Sequence, residues 1–435
     1  MCSHAKHIAV GNPEGEPNMA ITFRGKCQLA YEAIPMPELE QPTDALVRVT
    51  LSAICGSDLH PYHERERGLA HGTAMGHEFV GRVVAVGAAV RNVRVGQLVC
   101  SPFTTSCGEC FYCRQGLTCR CEHAGAALFG WRDATADGSE PPKAGRGAGL
   151  HGGQATFLRV PLADGTLLPV PAGMSQEEAL LLGDILSTGY HCAANAGCGD
   201  AAGAAAAAAA GARRTFVVVG CGPVGLLAVA CARWLMDEAA AGGAPGGGGQ
   251  LIAVDRVPER LARAREFGAD VVIDFGAEVG GAAEDGAGVS AVTVDVGARI
   301  RALTGGRGAD GVLEAVGASS AMRLGFDAMR PGGVLSSVGV HTSSHFPFSP
   351  VDGYDKNATV RMGRCPARAR MEQLLPIVLS KRFDLAKVIT HRLPLSAGVE
   401  AYRMFDRKED GCSKVLLVVE EGAADGGGAG HRAAL

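Results

Sequence analysis

The feature that most constrains this chain is a run of closely spaced cysteines, Cys107, Cys110, Cys113 and Cys121. Two Cys-x2-Cys steps bring three thiols into one tight loop, and Cys121 is far enough away to close a tetrahedron from the other side. Four thiolates on Zn2+ form a closed structural site with no open position for a substrate. An iron–sulfur site and a cluster of free or disulfide-linked cysteines stay open as alternatives, and Cys119 competes as fourth ligand.

Length and composition favour a two-domain globular enzyme. The chain has 435 residues, 47% of them hydrophobic and 20% charged. It carries a net charge of −4 and no basic stripe interleaved with aromatic residues, so nucleic acid is not an expected partner. The longest apolar run is the alanine tract 204–210, which is too short to span a membrane. Because the N-terminal stretch also lacks a signal-peptide core, we expect a cytoplasmic protein with reduced thiols.

Two kinds of pattern divide the chain. Residues 20–185 are turn-rich and contain Val-rich strand segments at 45–53 and 78–86, which indicates a mostly β domain. Further on, strand-like segments alternate with helical ones, which predicts an α/β fold with a doubly wound parallel sheet. The strand-like segments there are VVVG (217–220), LIAVD (251–255), VVID (271–274) and VLEAVG (312–317).

These patterns predict the following boundaries: a disordered extension over 1–19, a β-rich domain over 20–185, a parallel-sheet domain over 186–345, a return to the first domain over 346–420, and a disordered tail over 421–435. Low-complexity segments at 197–214, 239–249 and 276–288 are expected to be loop insertions without fixed structure. The first two should enter at the amino ends of strands, away from a cofactor bound at the carboxyl ends.

A glycine-rich motif lies between the first strand and helix of the parallel-sheet domain. Gly220, Gly222 and Gly225 match G-x-G-x-x-G, with Val224 inside the same turn. Such glycines let a pyrophosphate approach a helix N-terminus. Asp255 ends the next strand and is expected to accept hydrogen bonds from a ribose 2′-hydroxyl, which favours NAD over NADP.

Three separated segments offer a second set of metal ligands. They read CGSDLH (55–60), MGHE (75–78) and LGDILSTGY (182–190). A thiolate, an imidazole and a carboxylate make a mixed zinc site that leaves one position open for water or an alcohol. Each segment is weak evidence alone, but their order, with the four-cysteine loop between the second and the third, is specific.

With these motifs, the chain resembles zinc-containing medium-chain alcohol dehydrogenases from about residue 20 to 420. The resemblance implies a GroES-like catalytic domain with a structural zinc lobe over about 100–122, followed by a Rossmann domain. It places a catalytic zinc on Cys55 and His77, with Glu78 adjacent. The third ligand position holds Asp184, where the liver-type enzymes have a cysteine, and this resembles the glutathione-independent formaldehyde dehydrogenase branch.

The same resemblance assigns roles to neighbouring residues. Ser57 would take the proton from the alcohol, His60 would pass it toward solvent, and Asp58 would orient the ligating histidine. Gly56 replaces a basic residue that contacts the pyrophosphate in the liver-type enzymes. On the cofactor side, the resemblance points to Thr188 against the nicotinamide, Arg260 near the adenosine ribose and Lys414 at the pyrophosphate.

We therefore expect an NAD-dependent enzyme with two zinc ions that interconverts a small alcohol, or a hydrated aldehyde, and its carbonyl product. Family resemblance suggests a homodimer or homotetramer. Phe103, Phe129 and Trp131 are candidates for the wall of the substrate pocket. Two alternatives stay open: a glutathione-independent formaldehyde dehydrogenase or dismutase, and a non-catalytic zinc protein that binds partners or senses oxidants through its thiols.

Overall fold

A computed structural model describes residues 15–124, 127–133, 149–241, 249–276 and 295–420. The N-terminal domain contains, in chain order, β1 (Met19–Gly25), β2 (Gln28–Ala33), β3 (Ala45–Ile54), α1 (Leu59–Tyr62), β4 (Phe79–Val86), β5 (Leu98–Cys100), α2 (Phe111–Arg114), β6 (Phe157–Val160), α3 (Ala163–Thr166), β7 (Leu168–Pro169) and α4 (Gln176–Gly183). Short 3-10 helices cover Gly56–Asp58 and Thr118–Arg120.

Strand β3 is the centre of this domain because it pairs antiparallel with β4, β6 and a later strand, β15 (Val415–Val418). Its side chains alternate as the sequence suggests, with Ala45, Val47 and Val49 buried in the core. The predicted strand segments 45–53 and 78–86 correspond to β3 and β4.

The second domain contains α5 (Ile185–Asn195), α6 (Ala201–Ala209), β8 (Thr215–Val219), α7 (Pro223–Ala241), β9 (Gln250–Asp255), α8 (Pro258–Glu266), β10 (Val271–Asp274), α9 (Val296–Leu303), β11 (Ala309–Glu314), α10 (Ser319–Ala328), β12 (Met329–Ser337), α11 (Pro350–Asp355), β13 (Thr359–Met362) and α12 (Ala367–Leu379). The six strands that its described residues form are all parallel, in the order β10-β9-β8-β11-β12-β13. The strand order reverses between β8 and β11, and ligands of doubly wound sheets bind outside the carboxyl ends of the strands at such a point.

The chain then returns to the first domain through β14 (His391–Pro394), α13 (Gly398–Arg407) and β15, with 3-10 helices at Leu385–Val388, Leu395–Ala397 and Glu409–Gly411. Together with β14 and β15, the first domain holds a seven-stranded sheet beside the β1–β2 hairpin. No helix of the described segments is long and apolar enough to cross a bilayer.

The expected return at residue 346 was placed too early. β13 pairs in parallel with β12, so the parallel sheet continues to Met362. This strand could not be predicted from the sequence because β13 lies at the sheet edge and its residues are largely exposed, so they form no apolar run.

Two expectations of missing fixed structure also change. The alanine tract within 197–214 forms α6, because alanine has the highest helix propensity and Asp200 caps the helix by accepting a hydrogen bond from Gly203 N at 3.0 Å. The N-terminal extension ends before residue 19: Asn18 is buried and Glu16 pairs with Arg48 at 2.7 Å. The rest of the extension, the tail from 421, and most of the insertions at 239–249 and 276–288 lie outside the described residues.

Candidate functional site

The end of β3 and the turn that follows it supply the first part of the site. Cys55 follows β3, and its backbone N–H donates to Asp58 Oδ2 at 2.9 Å, which closes the 3-10 turn Gly56–Asp58. This turn and α1 hold Cys55, Ser57, Asp58 and His60 within one compact segment.

His77 enters the same site just before β4. Asp58 Oδ1 lies 3.0 Å from His77 Nδ1, which fixes the ring and leaves Nε2 free to act as a ligand. Nε2 lies 3.2 Å from Asp184 Oδ2 and 3.3 Å from Ser57 Oγ. Burial lowers the pKa of His77, but the carboxylates of Asp58 and Asp184 outweigh it and raise that pKa well above its usual value.

Asp184 is the single residue between α4 and α5. Helix α4 packs on β3, β4 and β5, whereas α5 packs on α7 and β12 of the parallel-sheet domain. Asp184 Oδ2 lies 3.5 Å from Cys55 Sγ, and Oδ1 accepts a hydrogen bond from Thr188 Oγ1 at 3.2 Å. The third ligand position therefore lies at the junction of the two domains.

The donor set fits a divalent metal ion. One ligand atom from each of Cys55, His77 and Asp184 lies within 4.8 Å of the others. Cys55 is only partly buried, so the site has an accessible side, while His77 and Asp184 are buried. Burial and the negative charge of Asp184 raise the pKa of Cys55, so a cation is needed to favour the thiolate.

Glu78 and Lys414 form a buried pair beside these ligands. Lys414 Nζ contacts Glu78 Oε2 and also donates to Ile54 O at 3.2 Å. Glu78 Oε1 is buried without a hydrogen-bond partner among the described residues. Burial raises the pKa of Glu78 to about 7 although the Lys414 ammonium opposes it. Lys414 thus binds the carboxyl group of Glu78 next to the candidate metal ligands, and the pyrophosphate contact assigned to it stays a prediction.

Gln154 and Tyr402 support Asp58 from behind, and sequence reasoning missed both. Gln154 Nε2 donates to Ala53 O at 3.0 Å and lies 3.5 Å from Asp58 Oδ2. The hydroxyl of Tyr402, a fully buried residue on α13, donates to Gln154 Oε1 at 3.0 Å. The chain of contacts from Tyr402 through Gln154 and Asp58 to His77 holds the ligating imidazole in one orientation.

The candidate pocket wall differs from the sequence-based expectation. The ring of Phe103 meets His77 edge-on, with centroids 6.3 Å apart, and Phe103 also packs against Cys365, which sequence reasoning did not select. Phe129 is buried against Phe79 in the domain core, so it does not form the wall. Trp131 Nε1 donates to Asp133 at 2.8 Å.

The four-cysteine loop brings the predicted sulfurs together. The Sγ atoms of Cys107, Cys110, Cys113 and Cys121 all lie within 4.8 Å of one another. Backbone N–H groups of Glu109 and Cys110 point at Cys107 Sγ from 3.4 and 3.3 Å, an arrangement that stabilises a thiolate. Cys119 is not part of this group.

Cys119 instead donates a hydrogen bond to Arg364 O at 3.3 Å. Its sulfur therefore points toward the segment after β13 rather than into the cluster.

The glycine motif forms the turn between β8 and α7, at the point where the strand order reverses. Gly220 has φ +89°, a conformation that favours glycine. Asp255, at the carboxyl end of β9, accepts a hydrogen bond from Cys221 N at 2.7 Å and lies 4.0 Å from Arg260 Nη1. Val224 is part of the first turn of α7.

Alanine is expected to affect stability when it replaces Gly225 and ligand binding when it replaces Gly222. A Cβ on Gly225 would lie 1.8 Å from Gly220 O, so Gly225→Ala should lower the free energy of unfolding by about 1–3 kcal/mol. A Cβ on Gly222 would meet no heavy atom of the described residues within 4 Å, so Gly222→Ala should keep its stability and weaken only the predicted dinucleotide binding. Thermal unfolding and NADH fluorescence titration of both variants measure this, and equal losses of stability would contradict the assignment.

Comparisons with known proteins cover both domains. A family described as "Alcohol dehydrogenase GroES-like domain" matches residues 41–172, and one described as "Zinc-binding dehydrogenase" matches residues 223–380. These matches coincide with the β-rich and parallel-sheet domains and confirm the predicted α/β fold.

Several relatives match over most of their length. The zinc-type alcohol dehydrogenase B of Aspergillus flavus is 38% identical over 93% of this chain and 83% of its own. The NADP-dependent isopropanol dehydrogenase of Thermoanaerobacter brockii is 30% identical over 85% of this chain and 92% of its own. The structure of an alcohol dehydrogenase from Thermus sp. ATN1 superposes with a TM-score of 0.74 at 34% identity, covering 92% of this chain and all of that one.

Proposed function

This chain belongs to the zinc-type medium-chain alcohol dehydrogenase family and is an alcohol/carbonyl oxidoreductase, and we propose that it transfers hydride between a small alcohol or hydrated aldehyde and NAD. The observation that carries the proposal is the convergence of Cys55, His77 and Asp184 beside Ser57 and Thr188. These side chains present three metal ligands, a proton acceptor and a cofactor contact at the junction of the two domains.

In this proposal Cys55, His77 and Asp184 hold a catalytic zinc, and the four-cysteine loop holds a structural one. The catalytic ion, when bound, supplies a Lewis acid that polarises the substrate oxygen. Asp58 keeps His77 Nε2 directed at the ion, and Gln154 and Tyr402 hold Asp58. Glu78, held by Lys414, places a further carboxyl group beside the ligands.

Proton export is assigned to Ser57 and His60. Ser57 Oγ lies 3.3 Å from His77 Nε2 and therefore faces the ligands, where it can accept the substrate's hydroxyl proton. Partial burial lowers the pKa of His60, which keeps its imidazole neutral near pH 7 and able to accept that proton. His60 Nδ1 has no partner among the described residues, so this nitrogen is available to the relay.

Two narrower hypotheses about the substrate can be distinguished by experiment. The aspartate at the third ligand position favours a glutathione-independent formaldehyde dehydrogenase or dismutase as the second candidate. The test is a steady-state panel of formaldehyde, other aldehydes and primary and secondary alcohols on zinc-loaded protein, with and without added NAD. Turnover of alcohols that depends on added NAD supports the main proposal, whereas formaldehyde conversion without added NAD supports a dismutase. A protein that binds zinc and turns over none of them would instead be a non-catalytic binding or redox-sensing protein.

Cofactor choice is expected to depend on Asp255. Its carboxylate would accept the ribose 2′-hydroxyl and repel a 2′-phosphate, so kcat/KM with NAD should exceed that with NADP by at least about tenfold. Asp255→Ser should lower this ratio by about tenfold or more because the repulsion is removed. The matched control is Asp274→Ser at the end of the neighbouring strand β10, which should leave the ratio unchanged. A wild-type preference for NADP, as the name of the Thermoanaerobacter relative describes for that enzyme, would overturn this assignment.

A further inference from the structure

A second cluster of reactive side chains shares no residue with the candidate metal ligands. Cys27 Sγ is 3.3 Å from His63 Nδ1, and His63 Nε2 is 2.7 Å from Asp406 Oδ1. A thiol, an imidazole and a carboxylate thus follow one another in hydrogen-bond contact. This is the order in which a base activates a nucleophile and a third group orients the base.

Three separate elements build this cluster. Cys27 lies in the two-residue turn between β1 and β2, His63 follows α1, and Asp406 is on α13. Cys27 has φ +55°, an uncommon conformation for a residue with a side chain, and its N–H donates to Tyr62 O at 2.7 Å. The thiol is therefore held beside the imidazole by the backbone as well as by its own hydrogen bond.

The arrangement does not suit a metal ion. Asp406 lies on the far side of the His63 ring from Cys27, so the sulfur and the carboxylate cannot share one ion with the same imidazole nitrogen. It does suit proton transfer, because Asp406 stabilises the imidazolium that forms when His63 takes the thiol proton.

The cysteine also faces a cavity that can hold a small molecule. Cys27 is exposed and lines a surface cavity of about 330 Å³ together with Tyr62, Leu29, Arg24 and Arg403. Both arginines are largely exposed, and each pairs through a single guanidinium nitrogen with a glutamate that does not line the cavity. Each guanidinium therefore keeps further N–H donors for a carboxylate ligand.

We propose that Cys27 is a thiol–disulfide exchange site for small anionic disulfides, independent of the reaction at the metal ligands. The Cys27 thiolate attacks one sulfur of the disulfide, a new S–S bond forms, and the original S–S bond breaks. The electron pair leaves with the departing thiolate, which takes the proton from His63. Cys27 is thereby oxidised to a mixed disulfide, and the other half of the reagent is reduced to a thiol.

The test compares dithiodipropionate, which carries two carboxylates, with the uncharged hydroxyethyl disulfide. Both are reacted with zinc-loaded full-length protein in which Cys2, outside the described residues, is serine, and peptide mass spectrometry follows modification of Cys27. His63→Gln should slow modification by both reagents about three- to tenfold, and Asp406→Asn should slow both less. A rate unchanged in His63→Gln would overturn the proposed activation.

Recognition of the anion has its own control. Replacing both Arg24 and Arg403 by glutamine should slow the dianionic reagent roughly threefold or more and leave the uncharged reagent unaffected. Added salt should also reduce the preference of the wild-type protein for the dianionic reagent. Since both arginines are on the surface, the double variant should fold normally. A ratio of the two rates that does not respond to the arginines would overturn the choice of ligand.

Discussion

Replacing Asp184 by alanine is expected to lower kcat/KM for the preferred alcohol by at least about 10³-fold and to remove one of two zinc ions per chain. In the proposed site Asp184 supplies one of three convergent ligand atoms, and its loss would leave Cys55 and His77 as an incomplete pair. Metal analysis after gel filtration and steady-state kinetics measure the two effects together.

A cysteine at the same position provides the matched control. Asp184→Cys exchanges one anionic zinc ligand for another, so it should keep two zinc ions and at least about a tenth of the wild-type kcat/KM. If Asp184→Ala kept both ions and near-normal turnover, the proposed ligand set would be incorrect. Loss of turnover with both ions retained would instead indicate that Asp184 acts through its hydrogen bond with Thr188 and not as a metal ligand.

The second large effect is expected at the four-cysteine loop. Cys113→Ser should release the structural zinc and lower the unfolding midpoint by about 10 °C or more, because the site's binding energy contributes directly to folding. The proposed catalytic ligands are unchanged in this variant, so it should still bind one zinc. Calorimetry and zinc content of the purified protein measure both results.

Cys119→Ser is the control for this change because it alters a thiol in the same loop that lies outside the cluster. A serine hydroxyl can keep the hydrogen bond to Arg364 O, so the unfolding midpoint should move by no more than about 2 °C and both zinc ions should remain. Equal loss of zinc in the two variants would show that the fourth ligand is Cys119 rather than Cys121.

Features that depend on short stretches of sequence were predictable. The zinc loop lies within one continuous segment, and the strand–turn–helix context of Gly220 and Gly225 can be read from neighbouring residues. The proposed catalytic ligands are far apart in sequence, and only the order of their three motifs, which resembles that of the family, joined Asp184 to Cys55 and His77.

Features that depend on distant contacts were not predictable. Tyr402 and Gln154 are separated by 248 residues, and no periodicity in either segment indicates that they meet. The ion pair of Lys414 with Glu78 could not be predicted for the same reason, since the two residues are 336 positions apart. The low-complexity composition of the alanine tract predicted a loop without fixed structure. The tract forms α6 because alanine has a high helix propensity and Asp200 caps the helix.

The position of Asp184 between α4 and α5 would also let the proposed catalytic ion hold the two domains together. An ion bound by both His77 and Asp184 would connect two residues that are 107 positions apart. His77 lies just before β4 of the first domain, and Asp184 lies just before α5 of the second. Such an ion binds the folded chain and leaves on unfolding, so its binding free energy adds to the stability of the folded arrangement. Stripping this ion should therefore lower the unfolding midpoint of the chain as a whole, since one buried apolar cluster extends from β3, β4 and α4 into β8 and α7.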